Sequence, residues 1–174
     1  MVAENPLPSE TVAVLATIDP DANAAGTLNS DWCDMSKFDQ LMAILLLGEW
    51  DSSSTIDFKL TQATTSGGAG EKDITSKAIT QIVSGSPAVF DKQAIINLRA
   101  DELDIPNGFR YVRAVATTAD SNSPADSPAT TIDYAAVLLG FGARYGPAYD
   151  QFAALLQEAF DTRPDAEGPP RTTH

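Results

Sequence analysis

Hydrophobic positions are most concentrated between residues 38 and 50, which read FDQLMAILLLGEW. In an extended strand Leu41, Ala43, Leu45 and Leu47 fall on one side, and Met42, Ile44 and Leu46 fall on the other. A membrane-spanning helix needs about 20 apolar residues, and charged residues interrupt this run before that length is reached. The pattern therefore predicts a central strand that is covered on both sides.

Alternating apolar and polar positions predict further strands elsewhere in the chain. These strands are expected at 11–18, 55–65, 74–83, 93–98, 109–118 and 131–144. The segments between them, such as 19–30, are rich in turn-forming residues. About eight short strands predict an all-β fold, a two-sheet β-sandwich, and favour a jelly roll. The alternative is an immunoglobulin-like sandwich, but the Cys…Trp…Cys spacing of that fold is absent.

The hydrophobic period changes near the C-terminus. Phe152, Leu155, Leu156, Ala159 and Phe160 recur at helical spacing, which predicts one C-terminal amphipathic helix over 149–161. The sequence thus divides into an extended N-terminal arm (1–10), a β-sandwich domain (11–148), this helix, and a flexible tail (162–174).

Charge and cysteine usage narrow the range of partners. The chain has 24 acidic and 11 basic residues, a formal net charge of −13. Affinity for nucleic-acid phosphates comes from Lys and Arg, so no nucleic-acid partner is expected. No membrane partner is expected either. A single cysteine excludes an intrachain disulfide, and the N-terminus lacks the basic and hydrophobic regions of a signal peptide, so synthesis in a bacterial cytoplasm would suffice.

Two segments superficially resemble ligand-binding motifs. Asp31, Asp34 and Asp39 lack the residue spacing of a calcium loop. The glycine-rich segment 66–72, SGGAGEK, lacks the spacing of nucleotide-binding loops and has acidic residues where phosphate would lie. We predict no metal and no cofactor at either segment.

Catalytic groups are equally sparse. Asp101, Glu102 and Asp104 form an acidic cluster without a histidine partner or an apolar pocket that would raise a pKa. Cys33 lies among acidic residues, which disfavour a reactive thiolate, and the only histidine is the terminal His174. We therefore predict that the protein has no catalytic residues and is not an enzyme.

Four stretches resemble small capsid-associated virion proteins of tailed bacteriophages. They are DWCDMSKFDQLMAILLLG (31–48), KAITQI (77–82), KQAIINLRADELD (92–104) and LLGFGARYGPA (138–148). The resemblance implies a structural virion protein that binds the outside of the capsid, as a decoration (cement) protein or the base of a head spike. It implies the major capsid protein as partner, a homo-oligomer (trimer or pentamer), and a fibre or spike protein as a further partner. The implied location is the capsid surface, after synthesis in the host bacterial cytoplasm.

Two other classes remain open. A tail or neck structural subunit would also be an acidic β-sandwich without catalytic residues, and it would assemble into rings or tubes. A carbohydrate-binding β-sandwich module would need a planar set of exposed aromatic side chains, which the sequence does not indicate.

A subunit with this negative charge cannot attach through a basic surface, so we expect contacts by apolar burial and strand pairing. The expected contacts lie in the arm, on a small-residue face of the last strand, and on the apolar side of the helix. The candidate interface residues are Pro6, Leu7, Pro8, Gly140, Gly142, Phe152, Leu155, Leu156 and Phe160.

Overall fold

The structure, a computed structural model, describes residues 7–50, 54–83, 91–120 and 131–145. One helical turn, α1 (Pro8–Thr11), precedes the strands. The strands are β1 (Val12–Ala24), β2 (Gly26–Asn29), β3 (Cys33–Asp34), β4 (Phe38–Trp50), β5 (Ser54–Ala63), β6 (Lys72–Ala78), β7 (Ile82–Val83), β8 (Gln93–Arg99), β9 (Tyr111–Asp120) and β10 (Thr131–Ala143). Two short 3-10 turns, Ala100–Glu102 and Ile105–Asn107, connect β8 to β9. Within the described ranges, no helix is long and apolar enough to cross a membrane.

The strands form two antiparallel sheets. The first sheet has the order β1-β10-β4-β8, and the second has the order β2-β9-β5-β6. The short β3 also pairs with β9, and β7 also pairs with β5, so each sheet has four strand positions. Successive strands cross between the sheets in the manner of two Greek keys, which is the jelly-roll arrangement. The predicted all-β, two-sheet jelly roll is confirmed.

Side chains that alternate along the strands fill the space between the sheets. In the first sheet, Leu41, Ala43 and Leu45 of β4 face inward and are buried. In the second sheet, Ile56, Phe58 and Leu60 of β5 are buried opposite them. The period of two that predicted these strands is therefore the pattern that builds the core.

The structure extends the first strand beyond its predicted end. Residues 19–24 were expected to form a turn, but β1 continues to Ala24 and pairs with β10 as far as Thr131. A shift in register between Ile18 and Asp21 accommodates Pro20. This strand lies at the edge of its sheet, where proline and turn-forming residues are tolerated because one row of backbone groups faces solvent.

Other boundaries also differ from the prediction. The expected strand 74–83 is divided into β6 and β7, with Ile74 buried as expected. Where the sequence predicts an extended arm to residue 10, Pro8–Thr11 form a helical turn. The predicted helix 149–161 and tail 162–174 lie outside the described residues.

The buried position of Ile56 predicts how much its truncation should lower the free energy of unfolding. Ile56 is fully buried, at 0% exposure, so Ile56→Ala should lower the free energy of unfolding by about 2–5 kcal/mol. Ile105 is 56% exposed, and Ile105→Ala should change it by no more than about 0.5 kcal/mol. Urea unfolding of both variants measures the difference. Equal losses in the two variants would contradict this description of the core.

Candidate interaction surface

The outer side of the first sheet has a large apolar centre, bordered by polar residues such as Gln40, Asn97 and Arg99. Its outward side chains include Val14, Met42, Ile44, Leu46, Ile95, Ala135, Val137, Leu139 and Phe141. We call this set the apolar face. Ile95 is 55% exposed and Leu46 is 43% exposed, so neither is covered by the described residues.

Strand register arranges the apolar face in continuous rows. One row joins Val137, Ile44 and Ile95 across β10, β4 and β8. A second row joins Val14, Leu139 and Met42 across β1, β10 and β4. Side chains directly opposite in antiparallel strands are about 5 Å apart, so the rows form one contiguous hydrophobic surface.

The outer side of the second sheet has a different character. Asp57 and Lys59 point outward from β5, and Lys59 forms an ion pair with Asp73 at 2.7 Å. Thr27 and Thr117 form a hydrogen bond at 3.0 Å across β2 and β9. The sandwich therefore has one polar outer surface and one outer surface with a large apolar centre.

This asymmetry bears on two sequence interpretations. The strand over 38–50 was expected to be covered on both sides; the described residues cover its inner side, and the cover of its outer side stays a prediction. Gly140 was expected to offer a contact surface, but it faces inward, and an added Cβ would lie 2.8 Å from Leu15 and 2.9 Å from Phe38. The protein's own core therefore occupies the space beside Gly140.

Gly142 differs from Gly140. It is exposed and has a positive φ of 63°, and an added Cβ would lie 3.1 Å from the Cβ of Asp39. The conformation is one that L side chains rarely adopt. The backbone conformation near the end of β10 therefore explains why glycine occupies position 142.

The described part of the N-terminal arm projects at the edge of the first sheet. Leu7 is 63% exposed. Its N–H donates a hydrogen bond to the Glu10 carboxylate at 2.7 Å, which closes the turn of α1. Leu7 and Pro8 thus lie at the start of edge strand β1. The remaining candidate interface residues, Pro6, Phe152, Leu155, Leu156 and Phe160, lie outside the described residues.

The glycine-rich segment 66–72 has a structural role. Gly68, with φ of 83°, lies against the Trp32 ring, from which an added Cβ would be 3.1 Å away. The Arg113 guanidinium lies 4.7 Å from the centre of the same ring and forms two hydrogen bonds to Glu71, at 3.0 and 2.6 Å. Trp32 and Glu71 thereby fix the loop to the sandwich.

The acidic cluster after β8 is held in ion pairs. Lys77 contacts the Glu102 carboxylate at 2.8 Å, and Arg99 contacts Asp101 at 3.1 Å. The hydrogen bond from Lys77, together with the N–H of Arg99, lowers the pKa of Glu102. Hydrogen bonds from Lys72 and Asn107 lower the pKa of Asp104. A general acid at neutral pH needs the opposite shift, so these carboxylates serve the fold.

Asp34 and Asp39 are hydrogen-bonded or ion-paired, and Cys33 is buried. Asp39 pairs with Arg144 at 2.7 Å, and Asp34 accepts a hydrogen bond from the Ser36 N–H at 3.0 Å. Among the residues that the structure describes, no cluster of His, Cys, Asp and Glu could hold a metal ion. Burial, reinforced by Asp31, raises the pKa of Cys33 to about 12. His174 lies outside the described residues.

Comparison with known proteins gives matches only among solved structures. No protein-family model matches the chain, and no curated protein matches it. The structure of infectious bursal disease virus strain Gx matches with 12% identity and a TM-score of 0.46, covering 85% of this chain. The VP2 subviral particle of infectious bursal disease virus matches with 14% identity and a TM-score of 0.47, also over 85% of this chain.

The chain spans 38% of the length of each of these two viral chains. The structure of Broad Bean Stain Virus matches with 11% identity and a TM-score of 0.32, covering 84% of this chain and 96% of that chain. Identities this low concern the fold alone.

Burial of Cys33 predicts its reactivity. The side chain is 4% exposed and its pKa is raised, so thiol reagents at pH 8 should label it only after unfolding. Mass spectrometry after alkylation with and without urea measures this directly, because the chain has one cysteine. Complete labelling of the native protein within minutes would contradict the buried position.

The ion pair of Glu102 predicts a dependence of stability on pH. Its pKa is lowered from the ordinary value of 4.5, so its stabilising effect is present above that value and is lost as pH falls through the lowered pKa. Glu102→Gln should therefore reduce the urea midpoint at pH 7 and have a smaller effect at pH 2. In a Lys77→Met background, Glu102→Gln should lower the urea midpoint at pH 7 by a smaller amount. An effect that is independent of pH and of Lys77 would rule out this ion pair as the cause.

Proposed function

We propose that the protein is a structural virion protein of a tailed phage that binds the outside of the capsid. In this role it stabilises or decorates the shell, as a decoration (cement) protein or as a head-spike base. Its principal partner is the major capsid protein, and it is made in the host bacterial cytoplasm.

The observation that carries the proposal is the position of the stretches that resemble phage virion proteins. The stretch 31–48 contains most of β4, 92–104 contains β8, and 138–148 contains the end of β10. These are neighbouring strands of one sheet, in the order β10-β4-β8. Sequences far apart in the chain thus form one continuous part of the molecule, which supports a shared architecture.

The fourth stretch, 77–82, contacts the same region. Lys77 donates a hydrogen bond to the backbone carbonyl of Asn97 in β8 at 2.8 Å, and it pairs with Glu102 just beyond that strand. All four resembling stretches are therefore connected by strand pairing or by direct hydrogen bonds. Three of the stretches build this sheet, and the fourth belongs to the second sheet and is joined to the first by Lys77.

Attachment to the capsid is assigned to the N-terminal arm. Leu7 is exposed and continues into β1, whose outer edge has no partner strand among the described residues. An arm that orders on a neighbour, or a strand that pairs with this edge, buries apolar surface and forms backbone hydrogen bonds. A stable contact needs about 800 Å² per partner, and this type of contact does not require basic residues.

The location of the protein in virions tests the proposed function. Purified particles should contain it in the head fraction, bound to the outer shell and accessible to antibodies on intact particles. Recovery only from tail or neck fractions would favour the tail or neck subunit. Absence from virions would refute both virion roles.

If the N-terminal arm makes the contact, deleting it should weaken binding to capsids. Removing residues 2–10 should leave the urea midpoint of the isolated protein nearly unchanged but reduce binding to capsids stripped of the protein by about tenfold or more, because apolar contact area is lost. Removing residues 166–174 is a control of similar length and should not change binding. Equal binding by the two deletions would exclude the arm as the contact.

Salt should have little influence on this binding. Raising the salt concentration from about 0.1 M to about 1 M shortens the Debye length from about 10 Å to about 3 Å, which weakens exposed charge pairs but not apolar contacts. Occupancy on capsids, measured by sedimentation, should remain constant across this range. Release in 1 M salt would show that charged contacts dominate.

A further inference from the structure

The apolar face needs a covering element, and the same chain has a segment with a matching surface. Residues 149–161 have the spacing of an amphipathic helix, with Phe152, Leu155, Leu156 and Phe160 on one side. Asp150, Glu158 and Asp161 fall on the opposite side of that helix. A single helix of this length is only marginally stable in water, so it requires a surface on which to pack.

We propose that residues 149–161 pack as a helix on the apolar face of their own molecule. This inference is independent of the virion role, because it concerns how the isolated chain completes its own hydrophobic packing. The capsid contact assigned above uses the arm and is not part of it.

The point at which the chain leaves the sheet supports this arrangement. Strand β10 contributes Ala135, Val137, Leu139 and Phe141 to the apolar face and ends at Ala143. The Arg144 N–H then donates a hydrogen bond to the Lys37 carbonyl at 2.9 Å, and its guanidinium contacts Asp39 at 2.7 Å. The chain is therefore held at one end of the apolar face when it reaches Tyr145, the last described residue.

The connection is short and suited to a reversal of direction. Only residues 146–148, Gly-Pro-Ala, separate Tyr145 from the start of the predicted helix. Gly-Pro is a turn-forming pair, so the helix could begin at the end of β10 and run back over the sheet. A short connection of this kind favours packing within one molecule over exchange with a neighbour.

The dimensions of the two surfaces agree. A helix over 149–161 would be about 20 Å long, at about 1.5 Å per residue. The part of β10 between Phe141 and Ala135 also spans about 20 Å, at about 3.4 Å per residue. One helix therefore covers the length over which β10 contributes to the apolar face.

The composition of the two surfaces also agrees. Ile44, Val137 and Leu139 in the central rows of the apolar face have no charge, and neither do the residues on the apolar side of the predicted helix. The acidic residues of the helix would point to solvent. Packing two molecules through their apolar faces would instead leave Phe152 and its neighbours without a partner, whereas packing within the chain covers both surfaces.

The decisive experiment is hydrogen exchange by mass spectrometry on the full-length protein, with Leu155→Asp as the test variant and Gln157→Asp as its matched control. In the unmodified protein, amides of residues 152–160 should exchange at least about tenfold more slowly than in an unstructured peptide of the same sequence. Leu155→Asp should abolish that protection and increase binding of the dye ANS to the exposed apolar face. Gln157→Asp changes the polar side and should alter neither measurement.

A substitution on the sheet provides the reciprocal test. Ile44→Ser lies on the outer side of β4, so it should release the segment, while Thr117→Ala on the outer side of the second sheet should not. Unprotected amides in the unmodified protein would overturn the proposal. Protection that is present only at concentrations where light scattering shows an oligomer would also overturn it, because the covering segment would then come from a second copy.

Discussion

The burial of β4 between β10 and β8 is the constraint on which the rest of the structure depends. Leu41, Ala43 and Leu45 supply the inner side of the first sheet and oppose Phe58 and Leu60 of the second. Gly140 lies beside Leu41 in the neighbouring strand, and its missing side chain leaves room for Leu15 and Phe38. The small residues of β10 therefore serve close packing inside the sandwich rather than contact with a partner.

The same alternation that fills the core determines the outer surface of the first sheet. When Leu45 points inward, Ile44 and Leu46 must point outward, and β10 continues this pattern with Val137 and Leu139. A sandwich that functions alone has a polar surface at these positions, as the second sheet of this protein does. The apolar face is thus a hydrophobic surface that the described residues leave open, and the proposed helix would cover it.

Most polar clusters connect parts of the same molecule. Arg113 joins Trp32 to Glu71, and Lys77 joins β6 to the turn after β8. These basic groups are paired with acidic partners, and the excess of acidic residues gives the chain its net charge of −13. Lowered pKa values in the acidic cluster reflect structural ion pairs and do not support acid catalysis. The proposed attachment by apolar contact fits this distribution of charge better than electrostatic attraction does.

The sequence determined the sheets, because an alternating pattern must bury one side of each strand whatever its neighbours are. It therefore predicted the two-sheet sandwich and the long strand β4. It could not determine which side of a strand with two apolar sides faces inward, and it assigned Gly140 to the outside for that reason. Nor could it show that β1 continues through Pro20, since pairing with β10 outweighs local turn propensity there. These features depend on contacts between residues far apart in the chain, and only the tertiary structure decided them.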